Sequence, residues 1–121
     1  MPNTKAEVYD IIERALFLPM AITILNRDLV SIGKSTLKLK QPYIQLIKQS
    51  IKIAQKDLIG IRQELRKRKI KIHQADRDDA FTFYVFAING YEENHRYFNP
   101  RIREQVSGLL EHYLFAAEKS N

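Results

Sequence analysis

Phe81-Thr82-Phe83-Tyr84-Val85-Phe86-Ala87-Ile88 is the stretch on which the fold turns, because it fits two different elements. Its aromatic and β-branched content suits a strand pairing with Ile70 to Gln74. The spacing of Phe81, Tyr84, Val85 and Ile88 suits a helix capped by Asp79, with Gly90 at C′ and Tyr91 folding back onto Phe86. As a strand, the stretch calls for a sheet; as a helix, it joins a bundle. Our reading leans to the helix.

Immediately upstream, Ile70 and Ile72 alternate with Lys71 and His73 as in a short strand, and Asp76 to Asp79 reads as a turn. Before that lies the longest periodic segment of the chain. Ile44, Ile47, Ile51, Ala54, Leu58, Ile61 and Leu65 follow an a/d heptad, opened by Pro42 in the first turn. Leu46, Ile53 and Ile59 broaden this apolar stripe beyond a coiled-coil seam, so packing inside the chain is favoured over a parallel homodimer through the 44–65 seam.

Toward the N-terminus, Thr4-Lys5-Ala6-Glu7 has the capping-box form, and Val8, Ile11, Ile12, Ala15 and Leu16 carry a first helix to about Phe17. Pro19 either kinks that helix or opens a second one, with Ile22, Leu25, Leu29 and Ile32 on one face. Gly33 is a natural left-handed stop, and Lys34 to Gln41 is the one clear linker. At the other end Asn99 caps and Pro100 begins a last helix, with Ile102, Val106, Leu109, Leu110, Tyr113 and Leu114 facing inward. The expected fold is mainly α. It is a single helical domain over 1–121, a bundle around one long amphipathic helix at about 42–68, with room for a short β-hairpin between 69 and 88.

Charge is unevenly spread. The chain has 20 basic and 14 acidic residues, and Lys34 to Lys71 holds twelve of the former with only Asp57 and Glu64 of the latter. Lys48, Lys52 and Lys56 form a ridge on the long helix, continued by Arg62, Arg66, Lys67, Arg68 and Lys69. Such a ridge, within the basic segment 38–71, can track a phosphate backbone of DNA or RNA, or simply keep a helix face solvated. Seven of the twelve aromatic residues lie between Phe81 and Phe98. Phe81, Tyr84 and Phe86 read as core. Tyr91, Tyr97 and Phe98 flank charged residues and, with Arg101 and Arg103, are the candidate anchor for a protein partner.

Enzymatic readings find little purchase. Gly33-Lys34-Ser35-Thr36 resembles the end of a phosphate-binding loop, but the second glycine that loop needs is replaced by Asp28. Glu92 and His95 have Glu-x-x-His spacing, but in one copy where di-metal bundles need two. The acid clusters Asp76/Asp78/Asp79 and Glu92/Glu93 sit among turn-forming or charged residues. There is no cysteine, which rules out disulfides and thiolate chemistry and suits a reducing, cytoplasmic setting. The apolar run from Ala15 to Leu25 is too short to cross a bilayer. No metal, cofactor or catalytic residue is expected.

Leu18-Pro19-Met20, Leu25-Asn26-Arg27-Asp28, Pro42-Tyr43, Asn89-Gly90-Tyr91-Glu92-Glu93 and the block Arg96-Tyr97-Phe98-Asn99-Pro100-Arg101-Ile102-Arg103 together resemble the small YhjD-like proteins of spore-forming Gram-positive bacteria. The resemblance covers most of the chain. It implies a bacterial cytosolic protein of a family with uncharacterised function, and it carries no site residues across. The functional expectation is a non-enzymatic protein-interaction or regulatory module, with nucleic-acid binding through the basic helix as the alternative.

Overall fold

Phe81–Ile88 is a strand. The computed structural model describes residues 5–119, and its elements run α1 (Lys5–Gly33), α2 (Gln41–Lys67), β1 (Ile70–Arg77), β2 (Phe81–Ile88), β3 (Tyr91–Phe98) and α3 (Asn99–Lys119). The three strands form one antiparallel sheet in the order β1-β2-β3. The expected helical bundle around one long helix is therefore corrected to an α+β fold, three helices with a three-stranded sheet. The stretch read as a helix, Phe81–Ile88, is the central strand of this sheet.

Two local causes decide this. Asn89 and Gly90 have φ of 52° and 84°, and Ile88 pairs directly with Tyr91. That is a two-residue hairpin of the I′ kind, whose twist matches the flanking strands. Gly90 is thus a turn residue rather than a helix C′, and Tyr91 stands 76% exposed instead of folding onto Phe86. At the other end, Asp78 Oδ1 accepts from the N–H groups of Ala80 (2.9 Å) and Phe81 (2.7 Å), and the Asp78 N–H donates to the Phe81 carbonyl. This side-chain-closed turn starts β2 where a helix cap was expected.

With period two established, β2 sends Thr82, Tyr84 and Phe86 into the interior. Tyr84 and Phe86 join Ile12, Phe17 and Leu18 of α1, Leu58, Ile61 and Leu65 of α2, and Ile102, Val106 and Tyr113 of α3 in the main core cluster. The heptad positions Ile47, Ile51, Ala54, Leu58, Ile61 and Leu65 are all buried within the chain, so the 44–65 seam is filled by α1 and α3. Across the helices, the buried Tyr113 hydroxyl donates to Asp57 Oδ2 at 2.8 Å. Burial, with the neighbouring Asp57 carboxylate, pushes the Tyr113 phenol upward.

Three junctions complete the frame. α1 is continuous through Pro19, and Thr23 Oγ1 donates to the Pro19 carbonyl at 3.0 Å. Gly33 ends α1 without a positive φ. Its carbonyl accepts from Lys40 Nζ at 3.0 Å, and Ser35 Oγ donates to the Ile32 carbonyl. α2 closes instead through Lys69, whose φ of 57° takes the left-handed position usually given to glycine. Asn99 does not spend its side chain on capping α3. It is buried, accepts from Thr82 Oγ1 at 2.7 Å and donates to the Asp78 carbonyl at 3.0 Å, tying the start of α3 to the β1–β2 turn. The Thr4–Glu7 capping box begins outside the described residues.

Candidate interaction surface

The strand register determines what each sheet face carries. Directly opposed residues share a face, so the inner face holds Ile70 and Ile72, then Thr82, Tyr84, Phe86 and Ile88, then Glu93, His95 and Tyr97. The outer face holds Lys71, His73 and Asp76 of β1, Phe81, Phe83, Val85 and Ala87 of β2, and Glu92, Asn94, Arg96 and Phe98 of β3. None of the outer-face residues belongs to a hydrophobic core cluster. All three helices pack behind the sheet, and no described element covers its front.

Behind the sheet, the polar residues of β3 are satisfied by α1. Tyr9 Oη donates to Glu93 Oε1 at 2.5 Å, and His95 Nε2 lies 2.9 Å from the same oxygen. The Tyr9 hydrogen bond foremost, then His95, hold the Glu93 carboxyl below its usual range, and Tyr9 is pushed up in return. His95 stacks on Phe86 with ring centroids 4.3 Å apart. Tyr97 packs edge-on against Phe17 at 5.7 Å. Burial, then Glu13, drives its phenol strongly upward, so it stays protonated.

On the open side, Phe81 lies 5.6 Å from Phe98 and 6.4 Å from Phe83. The Arg96 guanidinium sits over the Phe81 ring at 4.9 Å. The apolar stripe along β2 is flanked by exposed charges arranged crosswise. Lys71 on β1 and Glu92 on β3 flank Ala87, while Asp76 on β1 and Arg96 on β3 flank Phe83. Each border strand thus runs from one sign to the other, in opposite senses.

The expected anchor residues do not form one patch. Tyr97 points into the core side, Phe98 is 49% exposed on the outer face, and Tyr91 stands at the hairpin end. Arg101 and Arg103 are exposed on α3, with Arg103 at the mouth of a cleft behind the sheet. The outer face instead brings together Phe81, Phe83, Val85, Arg96 and Phe98, of which only Phe98 was among the candidate anchors. Phe81, expected in the core, is on the open face. The missed signal was Asn89-Gly90, which sets the register that gathers them.

The basic ridge lies where the helix spacing put it. Lys48, Lys52, Lys56, Arg62, Arg66, Lys67 and Lys69 are exposed. Arg68 is partly withdrawn, its Nε 2.7 Å from Glu64 Oε1. Glu92 and His95, three apart on a strand, face opposite sides of the sheet and so cannot share a ligand. Among the described residues no group of three or more His, Cys, Asp or Glu is placed to hold a metal ion. Nor is any described helix long and apolar enough to cross a membrane.

Comparison with known proteins agrees with the sequence resemblance. A model of the YhjD protein family matches residues 2–118. The chain is 71% identical over 119 residues to a protein of Bacillus subtilis (strain 168) described as "Uncharacterized protein YhjD", an alignment covering 98% of this chain and 99% of that one. No solved structure matches the chain. The chain belongs to the YhjD family.

Proposed function

We propose that this is a non-enzymatic interaction protein whose working surface is the outer face of the sheet, and that the surface first engages a second copy of the chain. One observation carries the reading: an uncovered apolar strand bordered by charges that complement themselves. A two-fold axis running along β2 sets Lys71 of one copy over Glu92 of the other, and Asp76 over Arg96. An axis across the strands sets Lys71 over Asp76 and Glu92 over Arg96. In both cases cation meets anion at every corner and Val85 meets its counterpart at the centre, while Phe83 meets Phe83 with the axis along β2 and Ala87 with the axis across the strands. Isologous contacts of a C2 dimer require this self-complementarity.

The charge pattern also argues against a polyanion on this face, since its two cations are balanced by two carboxylates. Three strands of eight residues each offer a footprint of roughly 27 Å by 14 Å. That is about 380 Å² a side, well below a standard interface, so the dimer belongs to the weak, transient class. Sedimentation velocity over a concentration series tests it. The wild type should shift from monomer to dimer, and Phe83→Asp should remain monomeric with an unchanged circular dichroism spectrum. A wild type that stays monomeric throughout would overturn the proposal.

A second reading, binding of nucleic acid, is favoured by the exposed ridge of α2. Lys48, Lys52, Lys56, Arg62 and Arg66 face solvent with no ion pair among the described residues. At its far end, Lys67, Arg68 and Lys69 line an open groove of about 740 Å³ against Val8 and Asn89. Fluorescence anisotropy with duplex DNA, single-stranded DNA and RNA across a salt series distinguishes this surface from the sheet face. Binding through α2 falls steeply with salt and is lost in Lys52→Glu/Lys56→Glu/Arg66→Glu, whereas Phe83→Asp leaves it intact.

A further inference from the structure

Behind the sheet, between α1, α3 and the inner ends of β1 and β2, lies a cleft of about 420 Å³. This is the size range of small-molecule sites. Met20 and Ile24 of α1 and Ile102, Val106 and Leu110 of α3 give it an apolar lining. Two guanidiniums stand at it, Arg77 from the end of β1 and Arg103 from α3. Neither has a carboxylate partner among the described residues. Apolar walls with two uncompensated cations make an amphipathic site for an anion with a hydrocarbon or aromatic body.

An independent observation points the same way. Tyr84 lines the cleft, is only 3% exposed, and its buried hydroxyl has no hydrogen-bond partner among the described residues. An orphaned buried hydroxyl costs about 1–3 kcal/mol. The neighbouring polar pair, Thr82 and Asn99, is already satisfied and leaves it no acceptor. Burial pushes the Tyr84 phenol up and Arg77 pulls it partly back, so at neutral pH it is a proton donor beside a cation. Among the described residues the Tyr84 hydroxyl thus lacks an acceptor and the two guanidiniums lack an anion.

We propose that the cleft binds a small organic carboxylate, its apolar body along α1 and α3 and its carboxylate held by Arg77, Arg103 and the Tyr84 hydroxyl. The cleft is on the opposite side of the sheet from the self-association face, so neither proposal depends on the other.

Isothermal titration with decanoate, decanol and acetate tests it, with folding of every variant checked by circular dichroism. Decanoate should bind one per chain, at least tenfold more tightly than decanol or acetate. Arg77→Ala/Arg103→Ala, both at exposed positions, should weaken it tenfold or more. Tyr84→Phe should weaken it at least threefold while raising the melting temperature of the free protein, because the orphaned hydroxyl is gone. No saturable decanoate binding, equal affinity for decanol, or affinity that survives the double arginine variant would overturn the proposal.

Discussion

Lys71→Glu strikes the proposed dimer twice, because a two-fold axis repeats every contact. The side chain is exposed on the outer face of β1 beside the uncharged Ala87, so the monomer loses little. An exposed ion pair contributes roughly 0.5 kcal/mol, and reversing one charge turns that attraction into a repulsion of similar size. The change is about 1 kcal/mol per contact and about 2 kcal/mol for the pair, or roughly thirtyfold in Kd. Sedimentation equilibrium measures it, and rising salt should shrink the difference. The same substitution also reports the axis. With the two-fold along β2, Glu92→Lys in the same chain restores affinity; with the two-fold across the strands, Asp76→Lys does. A dimer indifferent to Lys71→Glu, or one that neither second change rescues, would refute the face-to-face arrangement.

Other consequences follow from particular contacts. Tyr113→Phe removes the bond to Asp57 across the helix layer. It should cost about 1–2 kcal/mol, seen as a lower urea midpoint at unchanged m-value. Lys69→Gly relieves a left-handed φ of 57° and should stabilise by up to about 1 kcal/mol, while Gly90→Ala, at φ 84°, should destabilise by a similar amount. Glu93, Glu64 and Asp78 all have lowered folded pKa values. Their contribution is therefore complete above the unfolded carboxylate range near about 4 and is lost as pH falls through the folded values. Melting temperature should drop on acidification below that range, and Glu93→Gln should flatten part of the drop.

Much of the helical part was legible because burial there follows a single period. The bounds of α2 and the start of α3 were read within a residue or so, from Pro42, Pro100 and the apolar spacing between. The sheet was harder. Glycine after a run of apolar residues serves equally as a helix C′ and as the second residue of a hairpin turn, since both need positive φ. What separated the two was Asn89, which supplies the second positive φ that only the hairpin uses. β3 hid for another reason. Its inward residues Glu93, His95 and Tyr97 are polar, so hydrophobic alternation is absent, and their burial is made tolerable by Tyr9 and Glu13 of a helix some eighty residues away.

At Pro19 the sequence left open a kink or a second helix, and α1 runs through it as one helix. The surface patch could not have been read without the register. Phe81, Phe83, Arg96 and Phe98 share a face only because Phe81 pairs with Phe98 and Phe83 with Arg96. A one-residue slip would have turned either strand over. The exposure of Lys48, Lys52 and Lys56, in contrast, depends on one helix alone and follows from their spacing.

The most direct test of the open face as the working surface is an isotope-filtered NOE experiment on mixed labelled and unlabelled chains. We expect contacts between copies from the Val85 methyls to the Val85 methyls and the Phe83 ring of the other copy, and none from Ile59 on α2. Contacts between copies confined to α2 or α3, in a sample that sedimentation shows to be dimeric, would contradict the account.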